Sequence, residues 1–154
     1  MFKKILFCTD FSEDADWAFT YALQLAKNFK SKLHILHVMP IPVHPEQLSI
    51  YLSPEKLEEL KASQKIELDQ QLHSRYLNKM DDFKEYQVLF KEGEPFLEII
   101  QMVKKESVEL IVMGTHGRTG LDHVLFGSTA EKVVRRSPCP VLTVRLPGRK
   151  FTMP

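Results

Sequence analysis

Residues 108–117 read VELIVMGTHG, an apolar run that passes directly into a turn with two glycines. The part from Leu110 to Met113 contains no polar residue, which is typical of a strand buried on both faces in a parallel sheet. Glycine permits backbone conformations that other residues avoid, and it lets a backbone approach a ligand with no Cβ atom in between. The segment therefore predicts a buried strand, Val108 to Met113, that ends at a turn suited to ligand binding.

Gly127 follows Gly117 after nine intervening residues, in the stretch Gly127-Ser128-Thr129. Ser128 and Glu131 have the spacing of a capping box, which predicts that a helix begins here. A helix start offers unpaired N–H groups and a partial positive charge, both of which suit a phosphate. From the residues alone two interpretations stay open: a phosphate-binding loop, or glycines that only make a tight turn beside a serine that only caps.

On both sides of this loop, apolar runs alternate with helix-period stretches, as in an α/β fold with a parallel sheet. The other predicted strands are Ile5 to Cys8, Leu33 to Val38, Tyr86 to Phe90 and Val141 to Val144. Predicted helices follow Ser12 as far as Phe29, run from Pro54 to about Asn78, and begin at Pro95 and Ser128, with a loop over Met39 to Ser53. We predict one doubly wound, Rossmann-like domain over residues 1–146 and a loose tail over residues 147–154.

Charge and composition exclude several classes of function. With 21 basic and 20 acidic residues, the net charge of +1 favours neither nucleic acid nor a membrane as a partner. No apolar run has membrane-spanning length, and the N-terminus lacks the shape of a secretory signal. Cys8 and Cys139 have no metal-ligand spacing, so we expect free thiols in a reducing compartment. The chain is predicted to be soluble and cytoplasmic.

Ligands of open parallel sheets bind outside the carboxyl ends of the strands, where the strand order reverses. Asp10 ends the first predicted strand, where its carboxylate can accept hydrogen bonds from ribose hydroxyls or, equally well, cap the following helix. Val38 ends the second strand. Its backbone groups can hydrogen-bond to the edge of an adenine, or it can be an ordinary core residue. Both residues are therefore candidates for a nucleotide site, each with a structural alternative.

Other polar residues near the loop give weaker signals. Arg118 can contact phosphate, although an exposed arginine is usually only solvated. His116 and His123 lack a partner cluster at metal-ligand spacing, so we expect surface histidines and no metal cage. His34 and His37 lie within a predicted strand, where we expect them to be packed or to lie at the rim.

These segments together resemble the universal stress protein family, specifically its ATP-binding branch. The most specific element is the branch's nucleotide signature G-x2-G-x9-G-[ST], which Gly114, Gly117, Gly127 and Ser128 meet without departure. The resemblance covers nearly the whole chain, from Lys3 to Val144.

The resemblance implies a five-stranded parallel sheet of order 3-2-1-4-5 with helices on both faces. It implies a site for ATP, or for ADP or AMP, with Mg²⁺, and a homodimer through the edge strand Val141 to Val144. The family positions for nucleotide contact fall on Asp10, Val38, Gly114, Gly117, Gly127, Ser128 and Thr129, to which we add the neighbouring Thr9, Met113, His116 and Arg118.

The predicted function is a nucleotide-dependent regulator of the stress response that acts on an unidentified protein partner. Fast phosphoryl transfer needs a positioned nucleophile, metal ligands and charge clamps. The sequence has neither a P-loop lysine nor an acidic metal pair, so we expect no catalytic residue and at most a weak ATPase. A slow Mg-dependent ATP hydrolase and a dimeric scaffold without nucleotide remain the alternatives.

Overall fold

In the computed structural model, which describes residues 1–41, 51–117 and 127–148, the apolar runs form strands and the periodic stretches form helices. The strands are β1 (Lys4–Thr9), β2 (Lys32–Met39), β3 (Tyr86–Glu92), β4 (Leu110–Gly114) and β5 (Val141–Val144). The helices are α1 (Glu13–Phe29), α2 (Pro54–Arg75), α3 (Pro95–Glu106) and α4 (Ser128–Arg136), with a 3₁₀ turn at Leu77–Lys79. The alternation of strand and helix agrees with the predicted α/β class.

The strands form one parallel sheet in the order β3-β2-β1-β4-β5. At its centre, Phe7 of β1 lies level with Ile35 of β2 on one side and with Val112 of β4 on the other. The chain leaves β1 toward β2 and later returns to the opposite side of β1 with β4. The predicted five-stranded order is confirmed, and the order reverses between β1 and β4.

Helices cover both faces of this sheet because successive side chains of each strand point to opposite faces. Ile5 and Phe7 belong to the core cluster that contains residues of α1 and α2. Leu6 and Cys8 belong to a second cluster, which contains residues of α3 and α4. The carboxyl ends of the strands form an edge of the sheet that lies between the two cores.

Helix α1 begins as predicted, because the Ser12 side chain accepts a hydrogen bond from the Ala15 N–H at 3.2 Å. The start of β4 differs from the prediction. Ser107 adopts a left-handed conformation, with φ 53°, and the Val108 N–H bonds to the Val103 carbonyl. Val108 therefore completes the end of α3, and β4 begins only at Leu110.

Other predicted bounds shift by one to three residues, β3 for example ending at Glu92 rather than Phe90. Helix α2 ends at Arg75 rather than near Asn78, and Met39 belongs to β2 rather than to the loop that follows. Residues 42–50 of that predicted loop, and the tail from residue 149, lie outside the described residues. None of the helices in the described part of the chain is long and apolar enough to cross a membrane.

His34 lies in the middle of the fold, on β2, with 0% of its surface exposed. Among the described residues, neither of its ring nitrogens has a hydrogen-bond partner. Burial, reinforced by the charge of Lys32, lowers the pKa of His34 below its ordinary value of 6.5. Of the two predicted alternatives His34 is packed, and burial favours the neutral form of its ring.

We predict that this histidine makes the fold sensitive to acid. Below pH 6.5 the unfolded chain takes up a proton at His34 that the folded chain resists, so the free energy of unfolding falls as the pH falls, by up to about 1.4 kcal/mol per pH unit. In urea unfolding between pH 7 and pH 5, the free energy of unfolding of His34→Leu is expected to depend less steeply on pH than that of the parent chain. The exposed His73→Leu is the matched control and should keep the parent slope; equal slopes in all three would contradict the prediction.

Candidate functional site

The carboxyl ends of β1, β2 and β4 open into a cavity of about 460 Å³, at the place where the strand order reverses. Its volume is typical of small-molecule sites. Every predicted site residue that the structure describes lines this cavity: Thr9, Asp10, Val38, Met113, Gly114, His116, Gly117, Gly127, Ser128 and Thr129. Arg118 and His123 lie outside the described residues. The fold thus brings together positions that are more than a hundred residues apart in the sequence.

Asp10 stands on a turn that its neighbours hold in place. Its Oδ1 accepts a hydrogen bond from the Ser12 N–H at 3.0 Å. Phe11 has a positive φ of 60°, uncommon for a residue with a side chain, and its ring stacks on Tyr76 with centroids 5.9 Å apart. Because Ser12 caps α1, Asp10 supports the cap residue without being the cap itself. Its carboxylate remains at the cavity wall.

The Thr9 side chain serves a structural purpose beneath this turn. Its hydroxyl lies 2.6 Å from the Tyr76 hydroxyl, which in turn donates to Asp16 at 2.9 Å. Burial raises the pKa of Tyr76 above its usual range, so this phenol keeps its proton for the bond to Asp16. The network ties the end of α2 to the end of β1, and it occupies the Thr9 hydroxyl.

The three glycines of the predicted signature have different surroundings. A Cβ atom on Gly114 would stand 2.8 Å from the Asp14 Cβ and 2.9 Å from the Asp14 carbonyl carbon, inside α1. A Cβ on Gly117 would stand 2.6 Å from Asp10 Oδ2, whereas a Cβ on Gly127 would have no described atom closer than 3.5 Å. The packing of β4 on α1 therefore requires a glycine at 114. Of these three glycines, Gly127 has the most room for a side chain among the described residues, whereas a side chain at 117 would require the Asp10 carboxylate to move.

The start of α4 corrects the predicted capping box. Gly127 is the N-cap, with extended geometry, no described side chain caps the helix, and Ser128 is already the first helical residue. A serine with helical geometry does not place its hydroxyl over the next N–H groups as a cap does. Ser128 and Thr129 lie at the cavity wall together with this uncapped helix start, an arrangement that suits an anion.

His116 corrects a second expectation, because it is buried, with only 6% of its surface exposed. Its Nδ1 lies 3.0 Å from the Thr115 hydroxyl, and that hydroxyl donates to Asp14 Oδ1 at 3.3 Å. Asp14 is also buried, at 1% exposed. The turn after β4 folds onto the first turn of α1, which brings these side chains together and removes His116 from the surface.

Helix α2 supplies a wall of the cavity that the sequence patterns do not predict. Gln64, Glu67, Leu68 and Gln71 line the cavity from this helix. They recur at spacings of three and four and so share one helix face. Because three of the four are polar, hydrophobic periodicity gives no signal for this face.

Two chemical features of the cavity complete its description. Cys8 and Cys139 are free thiols, as predicted, and burial raises the pKa of the Cys8 thiol well above its usual range. Across the described ranges, no group of three His, Cys, Asp or Glu side chains is arranged to hold a metal ion. Asp10 and Glu67 place carboxylates in the cavity wall.

Comparisons with known proteins agree with this geometry. A model described as the universal stress protein family matches residues 1–145. Universal stress protein MJ0531 of Methanocaldococcus jannaschii is 32% identical, over 97% of this chain and 86% of that protein. MJ0577 of the same organism is 35% identical, over 94% of this chain and 96% of that protein. The solved structure of MJ0577 aligns with a TM-score of 0.68 and 31% identity over 99% of both chains.

Proposed function

The chain belongs to the universal stress protein family, and from that premise we propose that it binds ATP or a close adenine nucleotide in this cavity. One observation carries the proposal: the glycine turn after β4, the start of α4 at Gly127 and the Asp10 carboxylate all line one cavity at the reversal of strand order. Backbone N–H groups and a helix start bind phosphate, and a carboxylate accepts hydrogen bonds from a ribose. On this proposal, the chain falls in the ATP-binding branch of the family.

We assign the parts of the nucleotide by the chemistry of the walls. The phosphates lie between the turn at Gly117 and the start of α4, with Ser128 and Thr129 as hydroxyl donors. The ribose lies at Asp10, whose Oδ1 is already held by the Ser12 N–H. The adenine lies at the end of β2, against Val38, which is 9% exposed.

Solved structures of the same fold make adenine nucleotides the first ligands to test. A universal stress protein in complex with cAMP has a TM-score of 0.60 and 22% identity to this chain. A universal stress protein of Archaeoglobus fulgidus in complex with dAMP has a TM-score of 0.63 and 17% identity. At these identities the likeness concerns the fold, and the transfer of the ligand to this chain is part of our proposal.

A magnesium ion fits the cavity as a companion of the phosphates. Mg²⁺ in nucleotide sites is commonly held by one or two carboxylates together with phosphate oxygens. Besides Asp10, which we assign to the ribose, Glu67 of α2 supplies a carboxylate at the cavity wall, and the bound ion would reduce the negative charge of the phosphates. We propose binding with at most slow hydrolysis, regulation of an unidentified partner, and a homodimer through the outer edge of β5.

We predict that Asp10→Ala weakens ATP binding about tenfold, because one charge-assisted hydrogen bond to the ribose is lost. Calorimetric titration should show this loss for ATP and little change for 2′,3′-dideoxy-ATP, which lacks the hydroxyls. Glu58→Ala, an exposed carboxylate on α2, is the control and should bind as the parent chain does.

The parent chain in the same series tests the function itself. Adenine nucleotide identified by mass in the purified protein, or saturable ATP binding, is the expected result. A folded parent chain that binds no adenine nucleotide would defeat the proposal and favour a scaffold without nucleotide. Steady release of ADP from the same samples would favour the hydrolase.

A further inference from the structure

Three buried groups beneath the glycine turn form a cluster that nucleotide binding, as proposed above, does not use. Asp14 comes from the first turn of α1, and Thr115 and His116 come from the turn after β4. The Thr115 hydroxyl lies 3.3 Å from Asp14 Oδ1 and 3.0 Å from His116 Nδ1. His116 Nδ1 itself lies 3.6 Å from the same carboxylate oxygen. We call these residues the Asp14 cluster.

The direction of each hydrogen bond in the Asp14 cluster follows from counting hydrogens. A hydroxyl has one hydrogen, and the Thr115 hydroxyl donates it to the Asp14 carboxylate. The same hydroxyl oxygen must then accept the hydrogen bond from His116, so His116 carries a proton on Nδ1. The cluster thus fixes both the orientation of the imidazole and the position of a ring proton.

The backbone of Thr115 is held as firmly as its side chain. Its N–H donates to the Val144 carbonyl at 3.0 Å, and its carbonyl accepts from the Gly127 N–H at 2.8 Å. A Cβ on Gly127 would lie 3.5 Å from the Gly117 nitrogen, so the glycine turn and the start of α4 face each other closely. Thr115 is therefore the residue through which α1, β5 and α4 set the spacing between these two segments.

We propose that Asp14 is a positioning residue for phosphate binding, acting through the Thr115 hydroxyl. Asp14 does not line the cavity, whereas Thr115 and His116 do. By anchoring both side chains of the turn to α1, Asp14 keeps the Gly117 and Gly127 segments at the spacing that receives the phosphates. This inference rests on the proposed nucleotide function and adds a residue to it that has no contact with the ligand.

The test compares Thr115→Val, which keeps the shape but loses the hydroxyl, with Thr115→Ser, which keeps the hydroxyl. Calorimetric titrations with ATP and with adenosine separate phosphate binding from base and ribose binding. We expect Thr115→Val to weaken ATP binding about tenfold, to change adenosine binding less than twofold, and Thr115→Ser to restore ATP binding. Asp14→Ala, which removes the acceptor oxygens, serves as the second variant and should weaken ATP binding in the same selective way.

A spectroscopic signature accompanies the binding data. Nitrogen-15 NMR of the parent chain should show the His116 proton on Nδ1, and Thr115→Val should lose that preference.

A parent ring without a proton on Nδ1, or folded variants with unchanged ATP affinity, would overturn the inference. Equal losses for ATP and adenosine would overturn it too, since they indicate a general structural effect. A parent chain that binds adenosine but not ATP would overturn the inference together with the proposed phosphate site, whereas parent ATP binding with no effect of Thr115→Val would overturn the inference alone.

Discussion

Gly127→Val is expected to reduce ATP affinity by about a hundredfold or more while the chain stays folded. Gly127 has φ −64° and ψ 157°, an extended conformation that valine adopts readily. Its Cβ would meet described atoms only at 3.5 Å or more, which is ordinary contact. The branched methyl groups would, however, stand between Gly117 and the start of α4, where we place the phosphates. Losing both the phosphate contacts and the space for them corresponds to about 2.7 kcal/mol or more of binding free energy.

Calorimetric titration measures this effect, and circular dichroism with urea unfolding checks the fold. Gly127→Ala, with a single methyl group at ordinary contact distance, should be folded and should bind ATP more weakly than the parent but better than the valine variant. A folded Gly127→Val chain with parent affinity would show that the phosphates do not lie at the start of α4.

Gly114→Ala is expected to destabilise the fold itself, by about 3 kcal/mol, because overpacking at a site that cannot yield costs this much. The added Cβ would stand 2.9 Å from the Asp14 carbonyl carbon and 3.1 Å from the Ala15 nitrogen. These are backbone atoms of α1, so no side chain can rotate away to make room. The sheet and the helix must separate, and the larger Gly114→Val should fail to fold.

The measurement is urea unfolding of Gly114→Ala beside Gly127→Ala, since the same methyl group is added at two glycines of one signature. We expect the free energy of unfolding to fall by a large amount in Gly114→Ala and by less than about 0.5 kcal/mol in Gly127→Ala, as at sites without special constraints. Equal stability of the two variants would contradict the packing role of Gly114. Both stabilities are measured without nucleotide, so they do not depend on the proposed ligand.

The fold was largely predictable because its strands are encoded locally. The run Leu110 to Met113 is apolar throughout and lies in a strand with neighbours on both sides. Ser12 caps α1 as its position before an acidic first turn indicates. Predicted bounds were wrong where two elements compete for one residue. Val108 has strand propensity, but its N–H donates to a carbonyl at the end of α3.

The site was predictable only in part, because it depends on contacts between distant segments. Strand-end position was sufficient to bring Asp10 and Val38 to one cavity. Position alone does not reveal that His116 is buried against Asp14, since this requires the turn after β4 to fold onto α1. The α2 wall was missed for the same reason, because a polar stripe such as Gln64 to Gln71 indicates a partner only once the helix is placed.

The central position of β1 has a consequence for how the chain is made. Strand β1 precedes the other four strands in the chain but lies between β2 and β4, and the Thr115 N–H is paired only when Val144, at the end of β5, has been added. Chains grow from the N-terminus, and domains generally fold as units. A chain on the ribosome therefore carries Asp10 long before it can form the cavity, and a chain released before Val144 leaves β4 as an open sheet edge. The proposed nucleotide site therefore forms only after β5 has been synthesised.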